Sequence, residues 1–319
     1  MPRITALVIT RDEAAHINAC LDSLAWADER LVVDSGSTDG TPDLARDSGA
    51  RVIARDWPGY SAQKNYGAER ASHDWIVSID ADERVTPPLA DEIRAQLARD
   101  PVEAGFRVPR VTWHLGRWIR TTDWYPDYQL RVYDRRRARW KPRRVHESVH
   151  ADGPTGTLSH DLQHYAYRDV SHHHATMDRY TSLAAAQMLD EGRRASLFDL
   201  TLHPAAAFVR NYLLRRGFTD GIPGLVISSM NAYYVFLKFA KLKEMQIPKA
   251  RLLAGPDGDS PQRAGALGTP AERGIGASRE QETKDREAHD GVVALSGRAG
   301  VGPREQETKS GGHSPPAKE

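Results

Sequence analysis

Trp75-Ile76-Val77-Ser78-Ile79-Asp80-Ala81-Asp82-Glu83 is an apolar run that ends abruptly in carboxylates. A run of this kind predicts a buried strand, whose end delivers Asp80 and Asp82 to the edge of a sheet. Side chains alternate along an extended backbone, so residues i and i+2 share a face and both acids can face one cation. Hard oxygen donors suit Mg²⁺ or Mn²⁺, ions that also bridge phosphates. Alone, the pattern is equally that of a solvated acidic loop after a strand. The segments around it decide between the two.

Working outward, residues 3–10, 30–34 and 51–54 predict strands, and residues 13–25, 41–49 and 61–71 predict helices. In the first helix Ile17, Cys20, Leu21 and Leu24 share a face. Strands alternating with helices imply a parallel, right-handed α/β arrangement, in which ligands bind at the carboxyl ends of strands. Polar residues cluster at three such ends: Thr10-Arg11-Asp12-Glu13, Asp34-Ser35-Gly36-Ser37-Thr38-Asp39-Gly40 and Asp80-Ala81-Asp82-Glu83.

Beyond Pro88 a helix runs to about Leu97, followed by strands over 104–111 and 129–133. From His172 the pattern is helical. One helix spans 177–191 and stops at Gly192. A second spans 204–216 and opens at Pro204, and a third spans 223–246. From about Leu253 the chain is rich in Gly, Pro, Ser and charge and lacks the apolar content of a core, which predicts a disordered low-complexity tail over 251–319. Within it, 274–284 is echoed at 300–309.

Acids and bases nearly cancel, 43 against 44, so net charge names no partner. The single cysteine, Cys20, excludes an intrachain disulfide framework and fits a reducing compartment. The apolar run 4–9 is too short for a signal-peptide core, so a cytosolic location is expected.

The three strand ends together resemble the inverting glycosyltransferases of family 2, which have the GT-A fold. Residues 4–13 resemble the first nucleotide-binding strand of that family. Val32-Val33-Asp34-Ser35-Gly36-Ser37-Thr38-Asp39-Gly40-Thr41 resembles its VVDDGSTDGT segment, with Ser35 where many members carry a second aspartate. Asp80-Ala81-Asp82 resembles its DXD motif. Gln63-Lys64-Asn65, Pro126 to Arg131, Val145-His146-Glu147 and Phe218-Thr219-Asp220-Gly221 resemble the subgroup of lipopolysaccharide core β-1,4-glucosyltransferases, which move glucose from UDP-glucose to a core heptose.

The resemblance implies a mixed, Rossmann-like α/β sheet flanked by helices. The GT-A domain would span 1–165, with a nucleotide-binding half over 1–100 and an acceptor half over 101–165. A helical extension over 166–250, open to membrane association, would precede the tail. It implies a UDP-sugar donor, a glycolipid acceptor, and Mg²⁺ or Mn²⁺ as cofactor.

By the same resemblance Thr10, Glu13 and Asp34 line the uridine pocket, with Lys64 and Asp80 completing the donor-binding set. Asp34 has an alternative as a cap of its own turn, and Lys64 one as a solvated helix lysine. Asp80 and Asp82 form the metal pair, and Glu83 supports them or simply opens a helix. His146 completes the metal shell or is structural. An inverting transfer needs one carboxylate to take the acceptor proton. Asp127, where the family carries an ED motif and this chain has Pro126-Asp127, is the first candidate, and Glu147 the second. His160, His164 and 172–174 lack the spacing of a dedicated zinc site.

Arg131, Arg135, Arg136, Arg137, Arg139, Lys141, Arg143 and Arg144 form a basic cluster. It reads as a solvated loop, a nucleic-acid surface, or a dock for an anionic membrane. Residues 222–240 are nearly long enough to span a bilayer, but Ser228, Ser229 and Asn231 interrupt them and lysines crowd their end. That pattern favours an interfacial or core-packed helix. The expected protein is a peripheral enzyme at the inner face of the cytoplasmic membrane, with no nucleic-acid partner. Its rival is a basic nucleic-acid-binding or adaptor protein carrying a degenerate transferase domain.

Overall fold

A computed structural model of the chain describes residues 2–141 and 148–248. His146, Glu147, Arg143, Arg144 and the expected tail lie outside the described residues. In chain order the first half contains β1 (Ile4–Thr10), α1 (Ile17–Ser23), β2 (Glu29–Asp34), α2 (Thr41–Asp47), β3 (Arg51–Ala54), α3 (Tyr60–Arg70), β4 (Trp75–Asp80), β5 (Glu83–Val85) and α4 (Pro87–Leu97). The second half of the sheet region adds β6 (Gly105–His114), β7 (Arg117–Ile119), β8 (Asp127–Asp134), β9 (Ala138–Lys141), β10 (Ser148–Ala151), β11 (Thr155–Thr157) and β12 (Leu162–His164). Three helices follow: α5 (Val170–Asp190), α6 (Leu197–Val209) and α7 (Gly221–Met245).

β1 and β4 are buried at every position because helices cover both faces of the sheet, which is why each reads as an unbroken apolar run. The sheet order is β3-β2-β1-β4-β8-β6-β12-β5. The first four strands are parallel. β8 then runs antiparallel to β4 and β6 antiparallel to β8, so the sheet is mixed, the GT-A arrangement. On one face α3 packs so closely that a Cβ at Gly67 would stand 2.4 Å from Leu7 Cδ1; only glycine fits there. On the other face Ile17, Leu21 and Leu24 join Leu89, Ile93 and Leu97 of α4 over Val8 and Val77.

The first helix is shorter than expected, since Glu13 to His16 form a turn closed by His16 N–H to Glu13 O at 2.9 Å. α5 starts at Val170, where the Asp169 carboxylate accepts the His172 N–H at 2.7 Å. The helix expected to open at Pro204 instead starts at Leu197. Ser196 and Asp199 form a reciprocal capping box there, and Pro204 lies inside the helix. A π-turn over Arg210–Leu214 then ends it.

α5, α6 and α7 share a core of Ala185, Met188, Ala207, Val235, Phe239 and Leu242. They are fastened to the sheet region. Asp220 accepts from Thr121 Oγ1 at 2.6 Å and pairs with Arg117 at 3.1 Å. Asp123 pairs with Arg215 at 3.0 Å and with Arg210. Ile227 of α7 packs with Ile119, Trp124 and Tyr167. The Phe218-to-Gly221 segment is thus a structural joint. Among the described residues, no helix is long and apolar enough to cross a membrane.

Candidate active site

The carboxyl ends of β1, β2 and β4 bring Thr10, Asp34 and Asp80 to one edge, because the three strands are parallel and in register there. Asp34 makes the turn cap: Oδ2 accepts the Gly36 and Ser37 N–H groups at 2.9 and 3.0 Å, and Oδ1 accepts Ser37 Oγ–H at 2.5 Å. A carboxylate has about four acceptor sites, so one remains for a ligand. The Thr10 hydroxyl is buried without a partner. Ser35 is used locally, accepting the Gln63 amide at 2.9 Å.

Lys64 is not solvated. Its Nζ lies 2.8 Å from Asp80 Oδ1 and 4.3 Å from the ring centre of Trp140, and it is buried. Asn65 anchors that arrangement by exchanging two hydrogen bonds with the Trp140 backbone. Burial pushes the Lys64 ammonium below its ordinary range, while Asp80 opposes the shift. The other Asp80 oxygen takes Arg131 at 2.6 Å. Despite its burial, Asp80 is held well below the usual carboxylate range by Arg131 and Lys64.

Arg131 also reaches Glu83 at 2.5 Å, and Arg110 reaches Glu83 at 3.1 Å. Glu83 therefore opens a short strand and not a helix, and its Oε2 accepts the Asp80 N–H at 3.0 Å. Arg110 grips one oxygen of Asp127 through Nε and Nη2 at 2.9 and 2.7 Å, and Gln129 donates to the other at 2.7 Å. Lys64, Arg110 and Arg131 thus form one buried network with Asp80, Glu83 and Asp127, drawn from β4, β5, β6, β8 and α3.

Asp82, beside this network, is the least satisfied carboxylate. Its Oδ1 is buried with no hydrogen-bond partner, and its Oδ2 lies 3.2 Å from His164 Nε2. β12 carries His164 there because it pairs with β5 in the register His164 to Glu83. Glu13 registers the excess negative charge: burial, then Asp82, Asp39 and Asp80, push its carboxyl up to about 8.

Sequence reading missed Arg110 and the burial of Arg131, and named His164 only among histidines lacking the spacing of a zinc site. Arg131 belongs to the ion network and not to a surface cluster. Of its neighbours, Arg135 pairs with Asp74 at 3.2 Å and donates to the Ala68 and Ala71 carbonyls. Arg136 pairs with Asp134 at 2.7 Å, and Arg137 donates to the Val102 carbonyl. Among the described residues, no group of three His, Cys, Asp or Glu side chains is arranged to hold a metal ion.

Residues 5–152 match Glycosyl transferase family 2. The chain is 30% identical over 255 residues to the lipopolysaccharide core biosynthesis glycosyltransferase LpsC of Rhizobium meliloti (strain 1021), a match covering 78% of this chain and 94% of that protein. It is similar to the solved glucosyl-3-phosphoglycerate synthase from Mycobacterium tuberculosis in complex with Mn²⁺, UDP-glucose and phosphoglyceric acid, at 26% identity and a TM-score of 0.30, covering 36% of this chain and 45% of that one. It is also similar to the mannosyltransferase PcManGT from Pyrobaculum calidifontis in complex with GDP-Man and Mn²⁺, at 18% identity and a TM-score of 0.45, covering 77% and 88%. With residues 5–152 matching the family and LpsC matched along nearly its whole length at 30% identity, the chain belongs to glycosyl transferase family 2.

Proposed function

We propose that this chain is an inverting, metal-assisted transferase that moves a hexose, glucose by resemblance, from a UDP-sugar to a glycolipid acceptor of the lipopolysaccharide core. It would work at the inner face of the cytoplasmic membrane. The acceptor class is supported by the name of its relative LpsC. The observation that carries the reading is the unpartnered, buried Asp82 Oδ1 just past the end of β4, beside an Asp80 whose two oxygens are both paired.

The donor set fits a hard divalent cation. Asp82 would be the principal ligand, since both Asp80 oxygens already face cations, and His164 lies beside it. His146 lies outside the described residues. Few protein ligands suit Mg²⁺ or Mn²⁺, which retain waters and take substrate phosphates. Bound there, the ion would neutralise charge growing on the departing diphosphate.

The chain's own groups supply the rest. Thr10 and Asp34 offer a hydroxyl and a free acceptor site to the uracil edge. Lys64 and Arg131 hold Asp80 in place. Asp127 takes the acceptor proton: the acceptor oxygen bonds to the anomeric carbon, the bond from that carbon to the phosphate oxygen breaks, and its electron pair leaves with UDP. Arg110 fixes the Asp127 rotamer through two hydrogen bonds to one carboxylate oxygen; Asp127 and Glu83 in turn hold the Arg110 guanidinium above its ordinary range against its burial. Of the basic cluster, Arg131, Arg135, Arg136 and Arg137 each meet groups of the protein itself, which supports the transferase reading over the nucleic-acid one.

Calorimetric titration with UDP, in Mn²⁺ and in chelator, tests the site. Affinity should rise with the metal, and equal affinity in both would sink the metal assignment. A panel of UDP-sugars against truncated core glycolipids then reads donor and acceptor directly.

A further inference from the structure

We infer that the apolar band from the start of α6 to the start of α7 is a lipid-docking face, which lays these helices on an anionic bilayer surface. It deepens the glycolipid reading and rests on that reading only for the identity of the acceptor. α6 buries fully only Ala207. Leu197, Phe198 and Leu202 of α6, Leu213 and Leu214 of the π-turn, and Ile222 of α7 all stand exposed. Leu197, Leu214 and Ile222 are 76%, 75% and 76% accessible, exposure that marks an interaction surface when several large apolar side chains recur along one helix and its continuation.

Charge selects the occupant. Arg193, Arg194 and Arg216 are exposed around the band. Arg194 and Arg216 form no ion pair with a described carboxylate, and Arg193 reaches Asp199 only at longer range. Within 193–222 the two carboxylates are used internally, Asp199 on the capping box and Asp220 on Thr121 and Arg117, while Asp190 and Glu191 stand exposed before Arg193. An outward surface of leucine, phenylalanine and arginine matches acyl boundary plus anionic headgroup. A second copy fits less well, because a two-fold contact lays the same arginines against each other. The chain beyond Pro248 contains no Phe, Trp or Tyr and offers little to cover the band. No described helix is long and apolar enough to cross, which leaves a helix lying in the interface. Beside the band a groove of about 690 Å³ opens between α5 and α7, lined by Val170, Leu225, Met230 and Tyr233. Its lining suits an acyl chain.

The test uses the full chain and vesicles of phosphatidylethanolamine and phosphatidylglycerol. The unsubstituted protein should sediment with the vesicles. Leu214→Glu/Ile222→Glu should lower vesicle affinity by about tenfold or more, since it removes two apolar insertions, while UDP affinity stays unchanged. Arg193→Gln/Arg194→Gln/Arg216→Gln should weaken binding at low salt and converge with the parent at high salt. That triple variant decides the matter if the double variant loses UDP binding. Unchanged vesicle affinity in both variants overturns the face. So does a parent protein that is dimeric, ignores vesicles and becomes monomeric on Leu214→Glu/Ile222→Glu, which would assign the band to a second copy. Vesicle binding without UDP binding would sink the transferase reading and keep the face; UDP binding without vesicle binding does the reverse.

Discussion

His164 Nε2 lies 3.2 Å from Asp82 Oδ2, although the two residues belong to different halves of the sheet region. The pairing of β12 with β5 creates the approach, and the Tyr165 N–H to Asp82 carbonyl bond at 2.9 Å closes it. The opposite oxygen, Oδ1, is buried and unpartnered. Asp82 therefore faces His164 with one oxygen and keeps the other buried without a hydrogen-bond partner, the condition of a ligand awaiting a partner.

Asp82→Ala should abolish metal-dependent turnover and leave the fold intact. The substitution breaks no ion pair with Lys64, Arg110 or Arg131, so the denaturant midpoint should barely move. Near-normal activity at saturating Mn²⁺ would remove Asp82 from the metal site. His164→Ala should raise the Mn²⁺ concentration needed for half-maximal activity and spare activity at saturation.

Arg131→Met should act on stability first. It leaves Asp80 and Glu83 buried with one cation fewer, and stripping one partner from a buried pair costs about 3–5 kcal/mol. The lower end is expected here, because Lys64 still meets Asp80 and Arg110 still meets Glu83. Urea unfolding measures it. A loss under about 1 kcal/mol, the range of exposed pairs, would show that the network is open to solvent.

The parallel half of the sheet was legible because burial on both faces writes an unbroken apolar run, as in β1 and β4. Asp34, Asp80 and Asp82 followed from the rule that strand ends hold ligands. In the second half the two long strands, β6 and β8, were legible as 104–111 and 129–133, but the short ones were not. β5, β7, β11 and β12 have three residues each, too few to show a period of two. Arg110 and Arg131 interrupt their strands with charges, which in sequence mark solvent but here mark buried partners brought from elsewhere. His164 carries no local signal at all, since only strand pairing brings it to Asp82. The start of α6 was legible in principle: Ser196 with Asp199 is a capping pair, and Pro204 drew the boundary away from it.

His173 should make the protein acid-sensitive. It is buried against Tyr167, His114 and Trp124, beside its chain neighbours His172 and His174. Burial first, then His114, His172 and His174, push its imidazole down to about 3. The unfolded chain binds its proton at the ordinary value of 6.5, so between pH 6.5 and about 3 the unfolded state holds more protons. Stability from this group is complete above 6.5 and falls as pH drops through that window, by up to about 1.4 kcal/mol per pH unit. Burial lowers His114 in the same direction, so it adds to the slope. Urea midpoints at pH 7 and pH 5 should differ less in His173→Phe than in the parent, and an identical difference would show that the imidazole is already hydrated.

Asp127→Asn should separate chemistry from binding. The amide keeps the shape but cannot take the acceptor proton, and loss of a general base costs about 10²–10⁴-fold in turnover. UDP affinity should stay near normal, because the contacts of Asp127 run to Arg110 and Gln129 and not to the nucleotide end of the site. Arg110→Met provides the contrast. It uncouples Asp127 from Glu83, so it should lower both stability and turnover, whereas loss of a base acting directly should lower turnover alone. If Asp127→Asn stays active while Glu147→Gln is dead, the proton goes to Glu147, and Asp127 is left as the anchor that orients Arg110.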